Sequence, residues 1–141
     1  MLPPENIVKP CKMVPTYARD SHTNGWLLEV VSSRDSWTEH IEGQVYLTVA
    51  YPGELKGYHV HRKKVDHFTC VCGRADVLVL VDGEVARFPM VDDRGSRFTV
   101  KVPAGYPHAI ENTGEFDAYV INYCWPPYDP EDPDQEELEF A

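Results

Sequence analysis

Short apolar runs separated by turn residues recur along the chain from residue 25 onward. They are four to eight residues long and rich in Val, Tyr and Phe, which is typical of strands on a half-buried, pleated surface. The pairs Asp82-Gly83 and Arg94-Gly95 supply residues that accept turn conformations and favour hairpins. The pattern predicts an all-β sandwich or barrel. Its predicted strands cover residues 26–31, 44–51, 68–71, 77–81, 98–102 and 118–123.

The two ends of the chain lack this pattern. Residues 1–24 contain four prolines and little periodicity, which predicts an N-terminal arm or swapped edge strand ahead of a single barrel domain at residues 25–128. Residues 129–141 hold seven acidic residues without a Lys or Arg, which predicts a solvated acidic tail whose prolines exclude regular structure. A helical turn is predicted only at residues 33–40.

Composition narrows the class of protein. The 141 residues are 43% hydrophobic, which is enough for one domain with a substantial core. The net charge of −10 argues against nucleic acid and against an anionic membrane as partners. Because the chain has neither an 18-residue apolar run nor a basic, apolar leader, we expect a soluble cytoplasmic protein. The four cysteines lack zinc-type spacing and are predicted to be reduced thiols.

Three histidines and one carboxylate form the candidate chemistry. His59 and His61 are two residues apart, so in an extended strand they share a face about 6.5 Å apart. Asp66 follows shortly after, and His108 comes after a turn that contains Pro103. A His-x-His pair alone is weak evidence, but the two stretches together are more specific. The four side chains could hold a divalent Fe, Mn, Ni or Zn ion.

The spacing of these residues resembles the two signature motifs of the cupin superfamily, with Asp66 where Glu is usual. Within the superfamily, residues 43–137 resemble the dTDP-4-dehydrorhamnose 3,5-epimerase family. The resemblance rests on Gly-Tyr-His at 57–59, Pro-Ala-Gly-Tyr-Pro-His at 103–108, Glu-Asn-Thr-Gly-Glu at 111–115 and Tyr-Asp-Pro-Glu-Asp-Pro-Asp-Gln-Glu at 128–136. It implies a cupin jelly-roll barrel, a homodimer with crossed N-terminal strands, and metal-free chemistry on a nucleotide-linked 4-keto-6-deoxy sugar in deoxysugar or polysaccharide biosynthesis.

The resemblance also implies roles for individual residues. His59 matches the catalytic base of the epimerases, and His108 matches the histidine beside the sugar. Tyr123 is the predicted proton donor. A histidine suits the first role because its ordinary pKa of about 6.5 lies near neutral pH.

Two departures from the family pattern affect the predicted site. Asp66 stands where the epimerases carry an enolate-stabilising lysine, and His61 stands where they usually carry glutamine. We therefore expect Arg62 or Lys64 to supply the positive charge. Together with Tyr128, these two basic residues are the predicted substrate contacts.

Other functions remain open at this point. The stretch at 57–62 also resembles the nucleotide-sugar 3,4-ketoisomerases, which makes ketone migration a close variant of epimerisation. A metal-dependent cupin enzyme that uses His59, His61, Asp66 and His108 as ligands is the main alternative. A non-catalytic cupin that binds a small ligand is another.

Overall fold

The computed structural model describes residues 7–31 and 42–140. The helical turn predicted at residues 33–40 lies outside these ranges. Within them the chain forms only strands and loops, and no helix there could span a membrane. The strands are β1 (Val8–Pro10), β2 (Lys12–Tyr17), β3 (Thr23–Glu29), β4 (Gln44–Ala50), β5 (Leu55–Val60), β6 (Val65–Cys72), β7 (Ala75–Val81), β8 (Glu84–Pro89), β9 (Phe98–Val102), β10 (His108–Asn112), β11 (Ala118–Trp125) and β12 (Glu136–Glu137).

Two five-stranded antiparallel sheets form the barrel. The first sheet has the order β1-β9-β6-β11-β4, and the second has the order β12-β5-β10-β7-β8. Without the outermost strands β1 and β12, these are the two four-stranded sheets of a jelly roll. The prediction of an all-β jelly-roll barrel is confirmed. The predicted strands match β3, β4, β6, β7, β9 and β11.

Period-two alternation decides which side chains enter the space between the sheets. In β11, for example, Val120, Asn122 and Cys124 are fully buried, whereas the residues between them are at least partly exposed. The apolar core fills one part of the barrel around Val77, Val100 and neighbouring residues. Its burial supplies the main favourable free energy of folding. The remaining part of the interior contains buried polar side chains, among them His61, Asp66 and His108.

Residues 8–10 form an edge strand of the first sheet. β1 pairs with β9 of the same chain, and β2 pairs with β3 in a separate two-stranded sheet. The predicted domain boundary between residues 24 and 25 therefore lies within β3.

Most of the C-terminal tail is exposed, but one part of it is docked on the barrel, which its charge and its prolines did not predict. β12 pairs with β5, and Asp134 is only 7% exposed. The last proline is Pro133, so the residues after it are able to donate backbone hydrogen bonds and extend the sheet. The acidic tail is thus part of the barrel at residues 134–138.

Candidate functional site

A cavity of about 290 Å³ opens between the two sheets at the polar part of the barrel. Its volume lies near the lower end of the ~300–1,000 Å³ range of small-molecule sites. His59, His61, Asp66 and His108 all line it. The structure therefore brings together the four residues that the two sequence motifs carry. The other lining residues are Tyr46, Thr48, Lys56, Gly57, Phe68, Ala109, Ile110 and Gln135.

An irregularity in β5 sets the direction of His59. Opposite β10, His59 pairs with His108 but Lys56 pairs with Ile110, so β5 contains one extra residue between these positions. Gly57 lies in this interval with a φ of 103°, a conformation that glycine accepts without steric cost. Such a β-bulge re-aims the side chains that follow it. Here it is followed by the two site histidines.

His61, Asp66 and His108 form a buried triad. The Asp66 Oδ2 atom lies 3.3 Å from His61 Nε2 and 3.1 Å from His108 Nε2. All three residues are at most 5% exposed. Asp66 is held further by Asn122, whose Nδ2 donates to Asp66 Oδ1 at 2.8 Å. A buried carboxylate is stable only when it is paired and hydrogen-bonded in this way.

Backbone carbonyl groups fix the tautomers of both triad histidines. Nδ1 of His61 lies 2.7 Å from the Asp134 carbonyl oxygen, and Nδ1 of His108 lies 2.9 Å from that of Tyr106. A carbonyl oxygen only accepts, so each Nδ1 carries a proton. Both Nε2 atoms therefore face Asp66 in one of two ways. Either they carry a second proton and form imidazolium groups, or they present lone pairs to a shared cation.

The pKa shifts in the triad agree with strong pairing. Burial alone would raise the pKa of the Asp66 carboxyl, but hydrogen bonds with His108 and His61 outweigh burial and hold that pKa well below its usual range. Burial lowers the pKa of His61, but its hydrogen bond and charge interaction with Asp66 outweigh burial and raise that pKa above 6.5. Asp66 and His61 therefore form an ion pair in the absence of a cation.

The same three residues fit a divalent metal ion. Their ligand atoms all lie within 4.8 Å of one another. Two ligands bound about 2.1 Å from one ion at a right angle are about 3 Å apart, which is close to the separations around Asp66. Two imidazoles and a carboxylate suit Fe, Mn, Ni or Zn, and protonated Nδ1 atoms with carbonyl partners are the usual second layer of such sites.

His59 does not belong to this ligand group, which corrects the predicted four-residue metal set. The group that the described residues form comprises His61, Asp66 and His108 alone. The His59 ring is 6.0 Å from that of His61, and its Nε2 lies 3.1 Å from the Gln135 side chain instead. Burial, reinforced by the nearby His108 and His61, lowers the pKa of His59 below 6.5. His59 is therefore a neutral base at the edge of the triad.

Tyr46 is the tyrosine that lines the cavity. It pairs directly with Asn122 across β4 and β11, and the Asn122 Nδ2 atom donates to its hydroxyl at 2.7 Å. Burial, followed by the negative charge of Asp66, raises the pKa of Tyr46 to about 12. The hydroxyl therefore keeps its proton at neutral pH, and the bond from Asn122 leaves that proton available for donation.

Tyr123 does not line the cavity, which contradicts its predicted role as the proton donor there. It pairs with His67 across β11 and β6, and the two rings are in contact at 5.6 Å between centroids. Its strand neighbours Asn122 and Cys124 are the buried, inward residues. Because successive strand residues point to opposite faces, Tyr123 lies on the outer face of the first sheet.

The predicted basic contacts also lie outside the cavity. Arg62 is exposed and pairs with Asp132 and Asp134. Lys64 is buried, with its Nζ 5.8 Å from the ring centroid of Tyr128. Lys64 and Tyr128 line a different depression beside the C-terminal segment. The turn between β5 and β6 carries this basic stretch away from the cavity.

Sequence reasoning missed Tyr46, Lys56, Asn122 and Gln135. Alternation along β4 was the available signal for Tyr46, because Gln44, Tyr46 and Thr48 share one face of that strand. Asn122 precedes Tyr123, and an error of one position exchanges the two faces of a strand. Gln135 gave no local signal because its place depends on pairing between β12 and β5.

Known proteins resemble this chain in sequence and in fold. The chain is 31% identical over 126 residues to the probable low-salt glycan biosynthesis epimerase Agl13 of Haloferax volcanii, a match that covers 82% of this chain and 78% of Agl13. The capsular polysaccharide assembling protein CapF from Staphylococcus aureus has a TM-score of 0.63 at 32% identity over 70% of this chain. The chain spans only 29% of the length of CapF.

ChmJ, a 3'-monoepimerase from Streptomyces bikiniensis solved in complex with dTDP-quinovose, has a TM-score of 0.70 at 18% identity. That match covers 94% of this chain and 68% of ChmJ, and at this identity it shows the fold. These similarities confirm the predicted cupin fold of the sugar-epimerase type. Residues 20–136 match the model of one family across most of the chain. The chain therefore belongs to the family described as the polysaccharide biosynthesis C-terminal domain.

Proposed function

We propose that the protein is an epimerase or isomerase that acts on a nucleotide-linked 4-keto-6-deoxy sugar by removing a proton beside the ketone. The observation that carries the proposal is the pair His59 and Tyr46. Both side chains line one cavity, and they come from strands of opposite sheets, β5 and β4. A sugar ring between them has a neutral base on one side and a protonated acid on the other. Inversion at carbon requires that a proton leave from one face and return on the other, and this arrangement supplies a group for each step.

The proton transfers balance without a redox step. His59 removes the proton on the carbon next to the ketone, and the electron pair of the broken C–H bond forms the enolate double bond as negative charge develops on the ketone oxygen. Tyr46 then donates its hydroxyl proton to the same carbon from the opposite face, which restores the ketone. Solvent returns a proton to the phenolate and removes one from His59. General acid and base groups contribute about 10²–10⁴-fold each to such reactions.

The triad supplies charge for the developing enolate. The imidazolium group of His61 and the ring of His108 lie within hydrogen-bonding distance of Asp66 and line the same cavity as His59. Preorganised groups of this kind commonly stabilise a transition state by about 3–4 kcal/mol.

Among the lysines and arginines of residues 7–31 and 42–140, Lys56 is the one that lines the cavity. We propose that Lys56 binds the diphosphate group of the nucleotide-sugar substrate.

Similarity to known enzymes supports the substrate class. Agl13 is a probable glycan biosynthesis epimerase, and ChmJ was solved with dTDP-quinovose. An assay with dTDP-4-keto-6-deoxyglucose in D₂O tests the proposal. We expect solvent deuterium to enter the carbon next to the ketone with the wild-type protein and not with His59→Ala. If folded wild-type protein introduces no deuterium and forms no product, the proposal is rejected. Product analysis separates inversion from migration of the ketone.

A metal-dependent form of the same enzyme is favoured by one observation, the convergence of His61, Asp66 and His108. A divalent cation bound by these residues would supply Lewis-acid polarisation of the ketone. Elemental analysis of protein prepared without chelators tests this. If the enzyme is metal-dependent, the wild type should carry about one ion per chain and Asp66→Asn should carry none, since the ligand set loses its charge. If the wild-type protein is active without a metal ion, the metal-dependent form is rejected and the ionised side chains alone stabilise the enolate.

We also propose that two chains form a homodimer through the outer face of β4 and β11. Cross-strand partners on this face are Val45 with Tyr123, and Leu47 with Ile121. Val45 and Leu47 are 64% and 55% exposed. Such a continuous apolar stripe on an edge strand is a surface that proteins usually cover.

A further inference from the structure

The acidic C-terminal segment lies along the strand that carries the site histidines. We name residues 134–138 the strap. Its backbone pairs antiparallel with β5 next to His59, and the amide of Leu138 donates to the carbonyl of Tyr58 at 2.8 Å. Two consecutive strap residues, Asp134 and Gln135, contact His61 and His59 respectively. The strap therefore touches both histidines of the His-x-His motif.

The Asp134 side chain anchors the strap to the turn after β5. Its carboxylate accepts hydrogen bonds from three successive backbone amides, those of residues 62–64, at 2.8, 2.9 and 2.9 Å. Successive backbone N–H groups that point into one concavity are a strong site for an anion. Asp134 also has a φ of 49°, which Asp tolerates better than most residues. The carboxylate is thereby fixed in place.

The carbonyl group of the same residue determines the state of His61. It accepts from His61 Nδ1 at 2.7 Å, so the other tautomer would bring the Nδ1 lone pair against a carbonyl oxygen. With the proton on Nδ1, the Nε2 atom faces Asp66. His108 receives the equivalent support from Tyr106, a residue outside the strap. The strap thus supports one of the two triad histidines.

We propose that Asp134 is a positioning residue, whose carboxylate locks the strap so that its carbonyl group holds His61 in the Nδ1–H form directed at Asp66. The catalytic consequence rests on the proposed function, whereas the effect on His61 does not. The acidic residue that composition placed in a solvated tail is in this view a part of the site. The same contacts of the Asp134 carboxylate place its neighbour Gln135 beside His59.

The first test is a matched pair of variants that each remove one negative charge from the strap. Asp134→Asn replaces an acceptor with an amide that cannot accept three N–H bonds, and we expect kcat to fall about 10- to 100-fold because His61 is misplaced. Glu136→Gln changes an exposed side chain two residues away, and we expect kcat within about twofold of the wild type. Circular dichroism establishes that both variants are folded.

The second test reads His61 directly by long-range ¹H–¹⁵N NMR of the histidine rings, with His61→Ala to assign the signals. We expect a protonated Nδ1 on His61 in the ligand-free wild type and in Glu136→Gln, and an altered ring signal in Asp134→Asn. A wild-type ring without a proton on Nδ1 overturns the inference, even if Asp134→Asn fails to fold. So does a folded Asp134→Asn protein with wild-type kcat, or one that loses kcat while the His61 signal is unchanged.

The two proposals fail in distinguishable ways. If the wild type neither exchanges nor converts the sugar nucleotide, the proposed function is wrong, and the ring signals of His61 still decide the role of Asp134. If the wild type is active, the comparison of Asp134→Asn with Glu136→Gln decides it through both readouts.

Discussion

Asn122 and Tyr46 face each other on adjacent strands, and the Asn122 side chain joins the tyrosine hydroxyl to the buried Asp66. Its Nδ2 atom lies 2.7 Å from Tyr46 Oη and 2.8 Å from Asp66 Oδ1. The Asn122 Oδ1 atom accepts from the backbone amide of His67 at 3.0 Å. That amide only donates, so the orientation of the Asn122 side chain is determined. One amide group therefore links the acid of the proposed reaction to the triad.

Removal of the Tyr46 hydroxyl should separate the two proton transfers. In Tyr46→Phe we expect inversion to fall about 10²-fold or more, while deuterium still enters the recovered substrate because His59 continues to remove and return the proton on its own face. Mass spectrometry of the substrate and chromatography of the product measure the two rates. Tyr123→Phe is the matched control and should resemble the wild type. If Tyr123→Phe loses inversion and Tyr46→Phe does not, the assignment of the acid is wrong.

Asn122 should be important for stability as well as for catalysis. Asn122→Leu keeps a similar volume but removes the Oδ1 acceptor from the His67 amide and the Nδ2 donor from Asp66. Buried groups left in this way cost about 1–3 kcal/mol each, so we expect the free energy of unfolding to fall by about 2–5 kcal/mol. Urea denaturation measures the change. Tyr46→Phe removes one bond of the same network and should cost only about 1 kcal/mol.

Activity should be lost at acid pH only below the ordinary pKa of a histidine side chain. Burial, then His108 and His61, lower the pKa of His59 from 6.5. The neutral, basic form therefore persists as pH falls through 6.5, and activity is lost only when the pH falls below the lowered pKa. Measurement of kcat/KM against pH gives the midpoint of this loss. A midpoint at or above 6.5 would show that His59 is not the base that controls the rate.

A charged residue introduced on the outer face of β4 should dissociate the proposed dimer into monomers. Leu47 is 55% exposed there, and in Leu47→Glu we expect a monomer in light scattering because a carboxylate would be buried without a partner. Val85→Glu, on β8 of the other sheet and 44% exposed in the single chain, is the control and should stay dimeric. A monomeric wild type at micromolar concentration would contradict the proposed interface.

Much of the barrel was readable from local patterns. Runs of Val, Tyr and Phe with turn residues between them specify strands, because pleated half-buried surfaces favour these side chains over several residues. The His-Val-His and Pro-Ala-Gly-Tyr-Pro-His stretches indicated that His59, His61 and His108 converge with Asp66, and all four line the cavity. Local spacing was sufficient here because each motif lies on one strand and its adjoining turn.

The proton donor and the support for the triad were decided only by the tertiary structure. Tyr46 and Tyr123 are both tyrosines on strands, and the pairing of β11 with β4 and with β6 determines which of them faces inward. Asp134 is 73 positions from His61 in the chain, and its contact depends on the docking of β12 beside β5. Side-chain chemistry and period-two spacing are local properties of a sequence. Strand register and sheet closure arise from long-range packing, which no short window of the sequence contains.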